Sequence, residues 1–495
     1  MGPSLPYDIW CLVANFIPKL ELSRLYRVNS AFFHMAMNER YCQVMIHDIA
    51  DENTRRCLMN MSPVVATRVR TLILRPHLFG KFMNTHIVPF AGRLNFVRQA
   101  GKHIKSSALL RHLTCMTEVT SLTIGCYPSD DLRMFNSTTL LIAAAWSAHG
   151  SRVRSLSLAI PLEAYPKVLT AAPTFKSLED LNITLRVEHA IPIAIDETIF
   201  SLIISFIGLH AQSLHGLSVD IPRAAVNPFR FFHNLGQLPQ LKRLSINLPL
   251  NRLRPGFLTG IDSFLRKQAN TLRDLSILIC DLLPNNLSLL LTPDDFFSHP
   301  IFQVQIRLTY LELGLLPWTK TGQRSLMTAS LTRYLYPMRM TLSRLALRDH
   351  TLTFTEVQSV VAVFSTPGSQ LQSLEMRIYF LSCNLLDLLS QRLPNLHHLE
   401  LGFEALTGQD SGAWIETVYW YRFTHSLEAS TFFEGMANRT YPDWALRRLT
   451  MPTYYCSGKW NETRALLVAA LPSVVTFNGL SPDEFVKVPD YTRSY

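Results

Sequence analysis

Hydrophobic and polar positions follow two different rules along this chain. Over the first forty or so residues the apolar positions recur at helical spacing. Ile9, Val13, Phe16 and Ile17 fall at i, i+4, i+7 and i+8, one face of a helix. Pro6 suits its first turn and Pro18 stops it. Leu22, Leu25 and Val28 form a second stripe, and Asn29-Ser30 is a cap signal for a third helix carrying Phe32, Met35 and Ala36. Three helices in so short a stretch bury little surface, so the unit is expected to dock onto something.

From about residue 69 the period changes to two. A six-residue pattern, apolar-x-x-Leu-x-apolar, occurs twelve times, from VRTLIL at Val69 and VTSLTI at Val119 to LHHLEL at Leu396 and LRRLTM at Leu446. The last position is apolar in every copy. The one before it is polar in all but two, where Ile73 and Ala346 stand. Strict alternation predicts strands with one face inward and one toward water. From Leu122 to Leu399 the pattern advances in nine steps of about 31 residues, enough for a strand and a helix per repeat. Helical periodicity fills the intervals at Glu197 to Gly208, Phe257 to Gln268, Thr355 to Phe364 and Leu385 to Arg392.

The order Leu5-Pro6, Ile9, Val13, Phe16-Ile17-Pro18, Leu22, Leu25, Val28-Asn29, Phe32 resembles an F-box, with Phe32 where many members carry Trp. The twelve-fold pattern resembles leucine-rich repeats of irregular length. Together they resemble the fungal F-box proteins with C-terminal leucine-rich repeats. The fold this implies is α/β: a short three-helix F-box at 1–45, a linker helix region at 46–68, and an irregular repeat solenoid at 69–478. In it parallel strands line the concave side and helices the convex side. Insertions are expected near 76–118 and 404–445, the second rich in aromatics, and a C-terminal tail at 479–495.

The resemblance also implies a function. F-box proteins dock on a Skp-type adaptor, and through it on a cullin, as substrate-recognition subunits of ubiquitin ligases. Leu5, Pro6, Ile9, Val13, Phe16, Ile17, Leu22, Leu25, Val28 and Phe32 match the motif and are the expected adaptor contacts. A buried aliphatic or aromatic anchor contributes about 1.5–3 kcal/mol, so several could support tight binding. The unknown protein substrate is expected on the second half of the concave face, at Arg243, Tyr310, Glu312, Arg344, Arg348, Glu375, Arg377 and Glu400, with His398 beside them. The competing readings are a scaffold that binds the adaptor without ligase work, and a nucleic-acid-binding repeat protein.

Composition narrows these choices. The 495 residues are 48% hydrophobic and 17% charged, which places the chain among globular proteins. Net charge is +10, permitting acidic partners. The basic residues are scattered singly and in pairs along the sequence, which makes nucleic acid the weaker expectation. The eight cysteines never form CxxC, so neither a disulfide scaffold nor a zinc module is expected. The longest apolar run, Ile199 to Leu209, is shorter than the ~20 residues a bilayer requires. Pro3, Pro6 and Asp8 interrupt any leader, so a cytoplasmic or nuclear location is expected. No GxSxG, GxGxxG, Walker or HExxH motif occurs; the reading is a non-enzyme without cofactor or metal.

Overall fold

A computed structural model describes residues 6–17, 19–22, 24–46, 56, 60–75, 113–126, 139–170, 172, 175–187, 193–222, 228–249, 259–280, 297, 300–314, 321–407, 425–451 and 460–487. The chain divides into two compact units, Met1–Val226 with Asn234–Leu241, and Asn227–His233 with Lys242–Tyr495.

The first unit opens with helices Tyr7–Asn15, Lys19–Leu22 and Ser30–Tyr41, with a 3-10 turn at Leu25–Arg27. The Asn29 side chain accepts the Phe32 N–H at 2.8 Å, capping the third helix as its sequence signal predicts. Ala14, Leu22 and Phe32 are buried together, with Trp10, Ile17, Leu25 and Met35 packed around them. Trp10 meets Phe32 edge-on at 5.3 Å.

Six parallel strands follow: β1 (Gln43–Ile46), β2 (Thr71–Leu74), β3 (Ser121–Gly125), β4 (Ser155–Ala159), β5 (Asp180–Thr184) and β6 (Gly216–Asp220). Each pairs with the next in sequence. Arg68 ties the helical unit to this sheet. Its guanidinium donates to the His34 carbonyl at 3.1 Å and to the Asn38 side-chain oxygen, and lies 2.9 Å from His34 Nδ1.

The second unit carries eight more parallel strands among the described residues. They are β7 (Arg243–Pro249), β8 (Asp274–Cys280), β9 (Tyr310–Gly314), β10 (Arg344–Leu352), β11 (Ser373–Ser382), β12 (His398–Thr407), β13 (Arg448–Thr450) and β14 (Thr476–Phe477). Helices Thr321–Leu335, Phe354–Phe364, Cys383–Arg392, His425–Met436 and Trp460–Ala470 pack successively on one another, forming a helical layer beside this sheet.

The twelve sequence patterns coincide with β2 to β13. Their three apolar columns are all buried, none more than 3% exposed. β1 and β14 lack the full pattern; β1 pairs with β2 in the first unit and β14 with β13 in the second. The four helices read from periodicity appear as Ile193–Leu209, Thr259–Gln268, Phe354–Phe364 and Cys383–Arg392.

A backbone ladder fixes the strand starts. Within each unit the carbonyl of the second pattern residue accepts two successive N–H groups from the next strand. Thr309 O takes Ser343 N at 2.9 Å and Arg344 N at 3.0 Å, and Ser343 O takes Gln372 N at 2.8 Å and Ser373 N at 3.0 Å. The chain needs no particular side chain there, because the bonds are main-chain only. Those side chains are therefore free to vary.

The expected aromatic insertion is described only in part. Phe432, Tyr441 and Trp444 are buried against the helix Cys383–Arg392 and its turn, with Tyr441 Oη donating to Asp387 at 2.7 Å and Trp444 Nε1 to the Leu393 carbonyl at 3.0 Å. Residues 414–423 lie outside the described residues, as does most of 76–118. The tail adds helix Pro482–Lys487, whose Phe485 stacks on Phe477 of β14 at 5.1 Å. Among the described residues no helix is long and apolar enough to cross a membrane.

Candidate functional site

The first helix is apolar on two faces. Trp10, Ala14 and Ile17 turn inward to the small core. Ile9, Leu12, Val13 and Phe16 face water, with Phe16 87% and Leu12 57% exposed. Tyr7 at the start of the helix and Val28 at the end of the 3-10 turn are exposed as well. A contiguous apolar stripe on a small unit is a candidate protein-contact surface.

The expected adaptor contacts thus separate into two groups. Pro6, Ile9, Val13, Phe16 and Val28 are exposed. Leu22 and Phe32 are buried, and Ile17 and Leu25 pack against them. Leu5 lies outside the described residues. Leu12 is the residue the pattern missed: it sits one position off the i, i+4 series, yet it shares the exposed face with Ile9 and Phe16.

The second candidate surface is the polar face of β7–β13. The register sets Glu312 on β9, Ala346 on β10, Glu375 on β11 and Glu400 on β12 side by side. Ala346 breaks the polar column of the sequence, and it stands between two carboxylate residues, paired with Glu312 on one side and Glu375 on the other. Arg348 joins the carboxylates of both neighbouring strands, meeting Glu312 Oε1 at 3.1 Å and pairing with Glu375.

β10 carries a bulge just beyond Ala346. Ala346 pairs with Glu375 and Thr351 with Arg377, so Leu347 to His350 stand opposite Met376 alone. Asp349 adopts φ 64°, a left-handed conformation that Asp tolerates better than most residues.

The electrostatics follow from this crowding. Burial, together with the Glu400 carboxyl, outweighs Arg348 and pushes the Glu375 carboxyl up to about 7. Burial and the neighbouring Glu312 push Tyr310 up to about 12. The Arg348 guanidinium is desolvated, yet Glu312 and Glu375 more than compensate and hold it above its ordinary value. Ser276 Oγ donates to Glu312 at 2.7 Å.

Of the expected substrate contacts, Tyr310, Glu312, Arg344, Arg348, Glu375, Arg377 and Glu400 come together on β9–β12. Arg243 starts β7, two strands beyond β9. Arg344 is exposed and lies over the Tyr310 ring at 5.8 Å. Arg377 crosses Gly402, whose added Cβ would meet it at 3.4 Å, and approaches Glu404 at 3.6 Å. Arg348 and Arg377 therefore carry carboxylate partners of their own, a feature invisible in the linear pattern. Burial lowers the pKa of His398, whose Nδ1 lies 3.3 Å from Ser373 Oγ. Among the described residues no group of three or more His, Cys, Asp or Glu side chains is placed to hold a metal ion.

No family model matches the chain, and no curated protein matches it. Among solved structures, it is similar to the crystal structure of the Rad7 and Elc1 complex in yeast. Identity is 14%, the match covers 67% of this chain and 89% of that one, and the TM-score is 0.31. A score that low establishes neither a shared fold nor a shared function.

Proposed function

We propose that this protein is a substrate receptor of a Skp–cullin–F-box ubiquitin ligase. In this reading the N-terminal helical unit docks on a Skp-type adaptor and the repeats hold a target protein. One observation carries it: the first helix and the two residues after it close the unit's own core with Trp10, Ala14 and Ile17 and leave Ile9, Leu12, Val13 and Phe16 exposed. Three of those exposed positions, Ile9, Val13 and Phe16, are F-box anchors read from the sequence. A partner groove that removed them from water would gain about 25 cal/mol for each Å² of apolar surface covered.

The receptor performs no chemistry of its own in this account. The strand faces offer recognition, and the ubiquitin-transfer step belongs to partner enzymes, to which the receptor contributes proximity. Docking keeps the target near the transfer machinery without any reacting group on this chain.

The test is co-purification of the full chain with the Skp-type adaptor and cullin of its own organism. The Ile9→Ser, Leu12→Ser, Phe16→Ser variant should lose both partners. Cullin-dependent turnover of a protein held by the repeats supports a receptor; adaptor binding without any such turnover would leave the scaffold reading instead.

A further inference from the structure

Scattered in sequence, the basic residues of the second unit are gathered by its register. Two adjacent positions begin every strand there: the residue just before it, whose carbonyl accepts two N–H groups in all but the last strand, and the first strand residue. Across β7 to β14 these sixteen side chains include Lys242, Arg243, Arg273, Arg344, Arg447 and Arg448, two histidines, and one acidic residue, Asp274. All six cations are exposed. Among the described residues, no ion pair involves Lys242, Arg273, Arg344, Arg447 or Arg448.

The equivalent edge of the first unit is built differently. Its arginines Arg70 and Arg154 pair with Glu118 and Glu179, and Asp180 follows in the same rows. The excess of positive charge is therefore a property of one edge of one sheet, not of strand starts in general.

We propose that the strand-start edge of the second unit binds a carboxylate-rich segment, rich in Asp or Glu, of the target protein. This deepens the receptor reading by naming the class of target. Charge complementarity selects an anion, and exposed guanidinium groups can grip carboxylates bidentately. Neighbouring strands lie ~4.8 Å apart, so β7 to β13 extends over about 29 Å. An extended peptide of about nine residues covers that length. Single-stranded nucleic acid fits less well, because such surfaces stack bases on free aromatic faces. The aromatic side chain in these rows, Tyr310, is half-buried and already lies under Arg344.

The experiment is fluorescence anisotropy of a labelled ten-glutamate peptide with the full chain at low and moderate salt. The chain should bind, and binding should weaken steeply with added salt, since exposed charges are screened. Arg344→Ser, Arg447→Ser, Arg448→Ser together should weaken it at least tenfold. Arg70→Ser with Arg154→Ser should leave it unchanged. Circular dichroism confirms that each variant is folded. Absence of binding by the intact chain, or equal binding by the first variant, overturns the proposal. So does tighter binding of a ten-nucleotide single strand than of the peptide. Adaptor capture, measured on the same samples, should be untouched by the edge substitutions. Its failure would strike the receptor reading alone.

Discussion

At the scale of single residues, the polar face of the second unit is governed by one guanidinium among three carboxylates. Arg348 pairs with Glu312 and Glu375, and Glu400 stands beside Glu375 in register. The sign of the consequence is definite. A carboxyl raised from an ordinary 4.5 to about 7 binds its proton more tightly folded than unfolded. Its contribution to stability is complete below about pH 4.5 and is lost as pH rises through 7. Glu375→Gln, which resembles the protonated form, should therefore gain melting temperature relative to the parent as pH increases from 4.5 to 7.5. Thermal unfolding across that range measures it, and a constant difference between the two proteins would contradict the assignment. The sequence marked Glu312, Arg348, Glu375 and Glu400 as outward-facing, because alternation alone decides which way a strand residue points. It did not reveal that Arg348 is held by carboxylates, since that pairing joins side chains of three strands that only the register brings together.

At the scale of elements, the first helix shows how far periodicity reaches. An i, i+4, i+7 series identifies a helix with an apolar face, but a nearly all-apolar helix has two such faces. The sequence gathered Ile9, Val13, Phe16 and Ile17 into one stripe; packing divides them, because Trp10 and Phe32 together claim the inner side. The division has a measurable outcome. Trp10→Ala removes a half-buried aromatic from the small core and should lower the stability of the N-terminal unit by about 3 kcal/mol, toward the low end for large-to-small aromatic changes. Phe16→Ala, at a side chain 87% exposed, should change stability by less than about 0.5 kcal/mol. Proteolytic susceptibility of residues 7–41, compared between the two variants, distinguishes them. Equal sensitivity would contradict the division of the helix into an inner and an outer face, and greater sensitivity of the Phe16 variant would reverse it. The strands were the most legible elements, because three apolar columns repeated twelve times leave no ambiguity of period. β1 and β14 escaped notice because QVMI and the two-residue TF carry too little of the pattern to register.

At the scale of the whole molecule, each repeat contributes a strand whose start is fixed by main-chain bonds, leaving its outward side chains free to serve recognition. The first unit adds to this a helical module with an unsatisfied apolar face, and the second adds a basic strand-start edge. Neither the edge nor the face is a run in the sequence: register assembles one and helix rotation the other. The central claim is that the outer face of the first helix is the docking surface, and amide hydrogen exchange tests it most directly. The full chain is compared with and without its Skp-type adaptor, peptide by peptide. The account predicts new protection confined to residues 7–16 and the turn around Val28, with exchange across β8 to β13 unchanged. Protection absent from the first helix, or appearing instead on the strands of the second unit, would contradict it.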